Sequence, residues 1–426
     1  MSRLRPLLKE RRLWTWGLVA QVSSSASSVA LTVAGGRLLG PSGLGVIVAG
    51  FAAYLVALNV HRALVVTPLV ATSSAASFDV RVHETRAALS VTIVVAGAGS
   101  VALAAGGLAV GGTLGEGMLA FAPWLAPALA HDLAKSALFR DGRGRLAAAS
   151  EVLWLSIFVC VLVLASPSPG SATVVAAWGC GAVAAAGVTL LPTGYLRASR
   201  GWRWFRGRAF ALGRWLVVQE GAYQGGSYAL VAALTLILGS SGVGGLRAAE
   251  TVFAPFSLLS RAAALPGLPA VSRALARSHD EAVRLAAAIS LGVVSLTFAY
   301  VVVMLVQGTA LLALVFGGEF GGFGTLVVPL SAWQLALAAA VGFGLLLTAQ
   351  RRGGALLACS IVGIGTTVGA SSILASLAGV EGAAWGFALG AAVAATLTIG
   401  LALRPTGVLP QSQSELGERV PTTTTV

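Results

Sequence analysis

The chain has 426 residues, of which 57% are hydrophobic and 10% charged, and its mean hydropathy is +0.87. That much apolar surface cannot be buried in the core of a water-soluble domain, which excludes a soluble globular protein. The formal net charge is +13, but the basic residues are distributed over many short segments rather than gathered on one domain, which argues against a nucleic-acid-binding protein.

Apolar stretches of roughly 20 residues recur along the chain, and this length crosses a hydrocarbon core of about 30 Å. We therefore predict an all-α membrane protein with a basic N-terminus at 1–12, a six-helix half at 13–196, a basic linker at 197–214, a second half at 215–404 and a disordered Pro/Ser/Thr-rich tail at 405–426. The twelve predicted spans, numbered in chain order, are 13–36, 43–66, 87–111, 116–139, 147–166, 171–195, 215–238, 243–268, 283–307, 320–349, 354–378 and 381–403.

Lysine and arginine alternate between the two sides of the predicted spans. Most of the 28 basic residues fall in segments on one side, among them the flank of span 4 with Lys135, Arg140, Arg143 and Arg145, and both chain termini belong to that side. Because cytoplasmic flanks collect Lys and Arg, both termini are predicted to be cytoplasmic. Anionic phospholipid headgroups are the expected partners of these flanks.

The two halves carry a repeated motif. Residues 39–45 read LGPSGLG and residues 238–244 read LGSSGVG, and Arg62 and Arg261 follow these motifs at the same distance. Chance similarity between Ala/Gly-rich helices is the alternative explanation. Because six spans per half is an even number, two parallel repeats are predicted, with a substrate path between them and alternating access by rocking.

Four short motifs stand out along the chain: LGPSGLG at 39–45, GLPAVSRA at 267–274, LVFGGEFGGF at 314–323 and GVEGAAWGFALG at 379–390. Together with the twelve spans and the duplication, they resemble the polysaccharide-exporting flippases of the multidrug/oligosaccharidyl-lipid/polysaccharide (MOP) exporter superfamily. The resemblance implies a V-shaped alternating-access transporter that moves undecaprenyl-linked oligosaccharide outward across a bacterial inner membrane, in company with polysaccharide assembly proteins. Lipid II flippases and multidrug or cation-coupled antiporters remain open as alternatives.

An enzyme, such as a membrane polysaccharide polymerase, would need acid and base residues in a sizeable loop over the bilayer. The predicted outward loops are only a few residues long, except the stretch around 308–319. We therefore expect no enzymatic activity and no catalytic residue. The sequence also lacks a phosphate-binding loop and metal-ligand spacing, so no cofactor or metal is expected.

A charge inside a predicted span is costly and usually faces a cavity or a partner, and two arginines of this kind stand out. Arg62 on span 2 and Arg261 on span 8 occupy matching positions in the two halves. A guanidinium donates two parallel hydrogen bonds to phosphate oxygens, so this pair is hypothesised to attract the diphosphate of a lipid-linked sugar. The alternative is that both side chains extend to the cytoplasmic interface.

Polar residues also cluster early in spans 1 and 7. Gln21 begins the stretch QVSSSASS, and its counterpart Glu220 lies in QEGAYQGGSY together with Gln224. These residues indicate either a wet, substrate-binding cavity or close helix packing. Glu220 is also a candidate for ion coupling.

Two further carboxylates are candidates for binding a coupling proton or sodium ion. Glu250 on span 8 stands three residues after Arg247, so an ion pair within the helix is the alternative. Asp132 lies near His131 and Lys135 toward the inner end of span 4, where a local ion cluster is the alternative.

Overall fold

The computed structural model describes residues 4–165, 170–196, 201–316 and 318–404. These residues are helical almost throughout and contain no β-strand. Short π-helical turns lie at Arg62–Val66 and Phe205–Ala209, and 3-10 segments at Ala122–Trp124, Leu191–Thr193 and Gly318–Leu326. The α-helices are α1 Leu4–His61, α2 Thr67–Ser73, α3 Phe78–Val110, α4 Gly112–Phe121, α5 Leu125–Arg140, α6 Gly144–Leu164, α7 Ser171–Leu190, α8 Gly201–Trp204, α9 Phe210–Val252, α10 Ala254–Arg277, α11 His279–Phe316, α12 Val327–Ala349 and α13 Gly353–Leu403.

The long helix α1 contains two membrane spans. A straight helix from Trp16 to Arg62 would be about 70 Å long at 1.5 Å per residue. Yet Trp16 packs on Gly144 at the start of α6, and Arg62 binds Asp132 in the neighbouring α5. The chain therefore reverses between the two apolar stretches of α1, as predicted for spans 1 and 2.

Eight stretches of the described helices are long and apolar enough to cross a membrane. The last of them, Gly353–Leu403, is 51 residues long and is interrupted at Ala378 and left-handed Gly379, so it holds two crossings. Span 4 is α4 and α5 joined by a 3-10 turn, and span 8 is interrupted at Phe253 between α9 and α10. The predicted all-α, twelve-helix fold with two six-helix halves is confirmed.

Small residues allow the two parts of α13 to pack closely. A Cβ atom on Gly382 would lie 2.0 Å from the carbonyl oxygen of Leu374, and one on Gly386 would lie 2.3 Å from the Cα of Ser371. Ser371 Oγ also donates to the carbonyl of Ala383 at 3.0 Å. Because membrane helices gain little from burying apolar surface against each other, close contact at glycines is a main source of their association.

The segment predicted as a basic linker is helical from Gly201 onward, as α8, the following π-turn and the start of α9. Trp204, Phe205 and Ala209 are buried and pack with the α3 residues near Ala87. The cause is an amphipathic pattern in which Trp204 and Phe205 face the bundle while Arg203 and Arg206 face outward. Residues 197–200, and the tail at 405–426 that was predicted to be disordered, lie outside the described residues.

The two halves meet at the end of the bundle that carries the basic flanks. A Cβ atom on Gly17 in α1 would lie 3.2 Å from the carbonyl oxygen of Ala262 in α10. At the same end, Arg273 Nη1 donates to the carbonyl of Arg140 at 3.3 Å. These contacts place spans 1 and 8 side by side across the boundary between the halves.

Arg140 is one of the basic residues that the sequence placed in a cytoplasmic flank, but its side chain is fully buried. It donates to Ser73 Oγ at 2.7 Å, to Thr85 Oγ1 at 2.9 Å and to Asp141 at 2.9 Å. Tyr195 donates its hydroxyl to the same Asp141, and burial together with that carboxylate raises the pKa of Tyr195. Arg140 therefore ties together four segments of the N-terminal half at its basic end.

Candidate functional site

Span 2 has an irregular turn at Arg62–Val66, where the backbone is π-helical and Thr67 donates its N–H to the carbonyl of Arg62. Pro68 follows and has no N–H, so the carbonyl of Leu64 loses its helical donor. A Cβ atom on Gly213 of α9 would lie 3.0 Å from that carbonyl oxygen. The start of α9, the helix that continues into the C-terminal half, therefore packs directly on the turn that carries Arg62.

Arg62 forms a two-pronged ion pair with Asp132 of α5. Its Nε donates to Oδ2 at 2.9 Å and its Nη2 to Oδ1 at 2.6 Å. The Asp132 side chain is 5% exposed, whereas that of Arg62 is 37% exposed. The Arg62 side chain is therefore partly exposed, while the buried carboxylate of Asp132 fixes the orientation of its guanidinium through two hydrogen bonds.

Asp132 belongs to a larger group, which we call the ion cluster: Arg62, His131, Asp132, Lys135 and Glu151. Lys135 Nζ lies 3.4 Å from Asp132 Oδ1 and 2.6 Å from Glu151 Oε1. His131 Nε2 lies 3.4 Å from the same Glu151 oxygen. Two cations thus alternate with two carboxylates, and with a neutral His131 the cluster has no net charge.

The ion cluster borders a layer of aromatic rings. His131 contacts Trp154 at 5.3 Å, Trp154 contacts Trp178 at 5.0 Å, and Trp178 contacts Tyr54 at 5.1 Å and Phe121 at 5.5 Å between ring centroids. These rings are buried in the core of the N-terminal half. In such a low-dielectric setting each charge depends strongly on its partner, because an unpaired one would be very costly.

A second polar group joins the two halves. Glu220 Oε1 of α9 accepts from Asn59 Nδ2 of span 2 at 3.2 Å and from Gln224 Nε2 at 3.0 Å. Asn59 precedes Arg62 by three residues, so the two are neighbours on the helix surface. One turn of span 2 therefore carries a contact to a carboxylate in each half.

The other predicted site residues are placed differently. Gln21 contacts Ser25 within its own helix, with 3.4 Å between Nε2 and Oγ, and does not join either group through a described hydrogen bond. Arg261 lies in α10 and Glu250 in α9. The side chains of Arg261 and Arg247 lie outside the described ones, so the convergence of Arg261 with Arg62 and the pairing of Glu250 with Arg247 stay predictions.

Two residues of these groups were missed from the sequence. Glu151 lies in α6, within a stretch apolar enough to span a membrane, and an acid at that position is the same signal that singled out Arg62. Asn59 is neutral and carries no comparable signal. Lys135 was assigned to a cytoplasmic flank as well as to a local cluster, and the structure buries it in the cluster.

The fold is similar to that of solved membrane transporters. A mutant of the MATE transporter VcmN from Vibrio cholerae matches with a TM-score of 0.78 and 13% identity, over 94% of this chain and 97% of that one. A MOP superfamily transporter from Pyrococcus furiosus matches with a TM-score of 0.74 and 14% identity, over 92% and 94%. An outward-facing multidrug resistance MATE transporter matches with a TM-score of 0.76 and 12% identity, over 93% and 96%.

No protein-family model matches the sequence, and no curated protein matches it. At 12–14% identity the structural similarity shows the fold alone. The chain therefore has the architecture found in MATE transporters of the MOP superfamily, and it is a multi-pass membrane protein.

Proposed function

We propose that this membrane protein is a flippase that carries an undecaprenyl-linked oligosaccharide across the cytoplasmic membrane by alternating access. The observation that carries the proposal is Arg62, whose guanidinium is held by a buried carboxylate and whose side chain is 37% exposed beside the boundary between the halves. A planar, permanently charged group with free donors suits a pyrophosphate. Both termini are proposed to be cytoplasmic, as the distribution of basic residues predicts.

The ion cluster supports this proposal because it lets a phosphate replace Asp132 at Arg62. Lys135 Nζ already lies 3.4 Å from Asp132 Oδ1. When a substrate phosphate takes the two donors of Arg62, Asp132 keeps a cation beside it rather than being left unpaired in a low-dielectric site. Lys135 and Glu151 are therefore positioning residues, and Arg62 is the group that touches the substrate.

Glu220 is proposed as the ion-coupling residue. Its described hydrogen-bond donors, Asn59 and Gln224, are neutral amides. Among the described side chains, none forms a salt bridge with this carboxylate. Proton or sodium binding would neutralise it and change the contact between span 2 and α9. Asp132 is the weaker coupling candidate because two cations already stabilise its charged form.

The competing function is a multidrug or cation-coupled antiporter. The MOP superfamily transporter from Pyrococcus furiosus has a binding pocket of reverse polarity, which suggests a different function for that protein. Pockets of different polarity therefore occur on this fold. Here the exposed member of the ion cluster is a cation, which repels cationic drugs. This argument favours an anionic substrate, while Glu220 is the feature that an antiporter would use.

The test is transbilayer movement of a fluorescent undecaprenyl-pyrophosphate oligosaccharide in proteoliposomes. We expect Arg62→Gln to slow movement at least about tenfold, since a charge-assisted hydrogen bond to substrate is lost, and Arg62→Lys to retain part of the rate. Arg206→Gln removes an exposed charge at the basic end and serves as the matched control. The double variant Arg62→Gln/Asp132→Asn keeps the cluster neutral if the single variant folds poorly.

Arg261→Gln and the combination with Arg62→Gln extend the same assay to the C-terminal half. Movement by the wild type that is lost in the Arg62 variants, with the control unaffected, supports the flippase. The proposal is overturned in favour of the antiporter if the wild type moves no lipid-linked sugar but exports organic cations when an inward proton or sodium gradient is imposed.

A further inference from the structure

A cavity opens at the basic end of the N-terminal half, near the place where span 1 meets α10. It has a volume of about 490 Å³ and lies between the start of span 1 and the turn that leads into α6. Its lining includes Leu13, Trp16, Arg143, Arg145, Leu146 and Ala149. We call it the interface pocket, because Leu13 and Gly144 begin two of the membrane-spanning stretches.

Two arginines give the interface pocket a positive charge. Arg143 and Arg145 are exposed, and neither forms a salt bridge with any described side chain. The first turn of α6 contains no acidic residue. Two carboxylates of the same part of the fold have other partners, since Asp141 binds Arg81 and Arg140, and Glu151 binds Lys135.

The rest of the pocket is apolar. Leu13, Leu146 and Ala149 present hydrocarbon, and Trp16 presents an indole ring beside them. Tryptophan is enriched where headgroups meet hydrocarbon, and arginine there pairs with lipid phosphates. The arginines require a polar or anionic partner, and the leucines require contact with hydrocarbon. A lipid headgroup with its first acyl carbons supplies both.

We infer that the interface pocket binds one anionic phospholipid, with Arg143 and Arg145 on its phosphate and the acyl chains along Leu146 and Ala149. A volume of about 490 Å³ is within the usual range of a small-molecule site, roughly 300–1,000 Å³. Basic pockets between membrane helices on the cytoplasmic side are typical sites for such headgroups. This inference does not depend on which substrate the protein moves.

The bound lipid would act on a helix that contacts both halves. Trp16 lines the pocket and also packs on Gly144, while its neighbour Gly17 contacts Ala262 and Pro266 of α10. An occupant between span 1 and α6 would therefore stabilise span 1 in its present position against the C-terminal half.

The C-terminal half offers a natural comparison. Gly353 is covered by Leu212 and Trp215, as Gly144 is covered by Leu13 and Trp16. The residue after Gly353 is Gly354, however, whereas the residue after Gly144 is Arg145. The C-terminal turn has its arginines at positions 351 and 352, and Arg352, the counterpart of Arg143, donates its Nη1 to the carbonyl of Leu401. Two arginines that both lack a described side-chain partner are therefore found at the N-terminal turn, and one specific lipid per chain is the expected stoichiometry.

The test is native mass spectrometry of the full chain with phosphatidylglycerol, phosphatidylcholine or inorganic phosphate as probe. We expect the wild type to retain one phosphatidylglycerol and Arg143→Gln/Arg145→Gln to bind it about tenfold or more weakly, given the attraction of each Lys or Arg for an anionic surface. Arg203→Gln/Arg206→Gln removes two exposed arginines elsewhere at the basic end and is expected to bind like the wild type.

Equal phosphatidylglycerol binding by the wild type and Arg143→Gln/Arg145→Gln would overturn the inference. So would equal retention of phosphatidylcholine, or displacement of the lipid by inorganic phosphate alone, which would indicate a free-phosphate site. Thermal unfolding in mixed micelles supplies a second readout. Phosphatidylglycerol should raise the unfolding temperature of the wild type and of the control pair, and should have no such effect on Arg143→Gln/Arg145→Gln.

Discussion

Gly142 and Arg351 occupy the same position in two equivalent turns, one in each half, and both have a left-handed backbone with φ of 76° and 58°. Each donates its N–H to the carbonyl three positions earlier, at 3.1 and 3.0 Å. The residue after each donates five positions back, at 2.8 and 3.0 Å. This is the Schellman pattern at a helix C-terminus, whose left-handed residue is usually glycine. The duplication therefore extends to individual backbone hydrogen bonds, and the C-terminal half holds an arginine where glycine fits better.

Arg351→Gly should stabilise the protein. A left-handed conformation costs an L-residue roughly 1–2 kcal/mol, and the greater freedom of glycine in the unfolded chain offsets part of that gain. A net increase of about 0.5–1 kcal/mol is expected, measured as a higher midpoint of thermal unfolding in detergent. Arg351→Gln removes the same charge without relieving the backbone, so it should not stabilise. A Gly variant no more stable than the Gln variant would contradict the argument.

The spans and the duplication were predictable from the sequence because the bilayer itself sets the length of each apolar stretch and the side on which basic residues collect. The pairing of charges was not. Arg62 and Asp132 are 70 positions apart, and their contact depends on which faces of span 2 and α5 meet. Membrane helices are apolar on every side, so hydrophobic periodicity does not identify those faces.

Gly386→Ala should destabilise the packing of the two crossings in α13. The added Cβ would lie 2.3 Å from both the backbone N and Cα of Ser371, which cannot move aside like a flexible side chain. Overpacking of this kind costs roughly 1–3 kcal/mol. Gly369→Ala is the matched control, because a Cβ on Gly369 has nothing within 4 Å. The yield of monodisperse protein and its unfolding temperature should fall for the first variant alone; equal behaviour of both would rule out close packing at Gly386.

Lys135 and Glu151 should show strong energetic coupling. Removing one partner of a buried ion pair leaves an uncompensated charge and costs about 3–5 kcal/mol, whereas removing both leaves none. Lys135→Met and Glu151→Gln should each be severely destabilised, and the double variant should be more stable than the sum of the two losses implies. The coupling is read from a thermal-unfolding double-mutant cycle.

The exposed pair Arg277 and Glu281 supplies the comparison for that cycle, with side chains 61% and 40% exposed. Surface pairs are screened by solvent, so Arg277→Gln and Glu281→Gln should show no measurable coupling. If the Lys135 and Glu151 cycle is also additive, these two residues do not depend on each other in the folded protein, and their proposed role in positioning Asp132 fails.

The predicted linker illustrates why composition misleads at the membrane surface. Its arginines indicated a loop, but Trp204 and Phe205 on the opposite face bury themselves against the N-terminal half and make the segment helical. Arg140 is a related case: a basic residue at the end of a span usually faces solvent, and here Ser73, Thr85 and Asp141 accept its hydrogen bonds inside the bundle. In both cases tertiary contacts overrode a correct general rule.

A disulfide across the basic end should stop transport if the halves separate there during the cycle. A Cβ on Gly213 would lie 3.1 Å from the Cα of Leu64, so cysteines at these positions fall within reach of a Cβ–Cβ distance of about 3.5–4.5 Å. In a background with Cys160, Cys180 and Cys359 replaced, oxidised Leu64→Cys/Gly213→Cys should lose transbilayer movement of the lipid-linked sugar, and reduction should restore it. Alternating access requires this loss because one half must rock against the other.

The control cross-link lies within one half. A Cβ on Gly226 would lie 3.4 Å from the Cβ of Ile364, close to the distance in a disulfide, so Gly226→Cys/Ile364→Cys joins two segments that move together in a rocking cycle. Its oxidation should leave transport intact. The contradicting outcome is a Leu64 and Gly213 cross-link that forms fully while the oxidised protein still transports as fast as the same protein after reduction of the disulfide. In that outcome the basic end does not open in the cycle, and the substrate must enter by a path that leaves span 2 and α9 in contact.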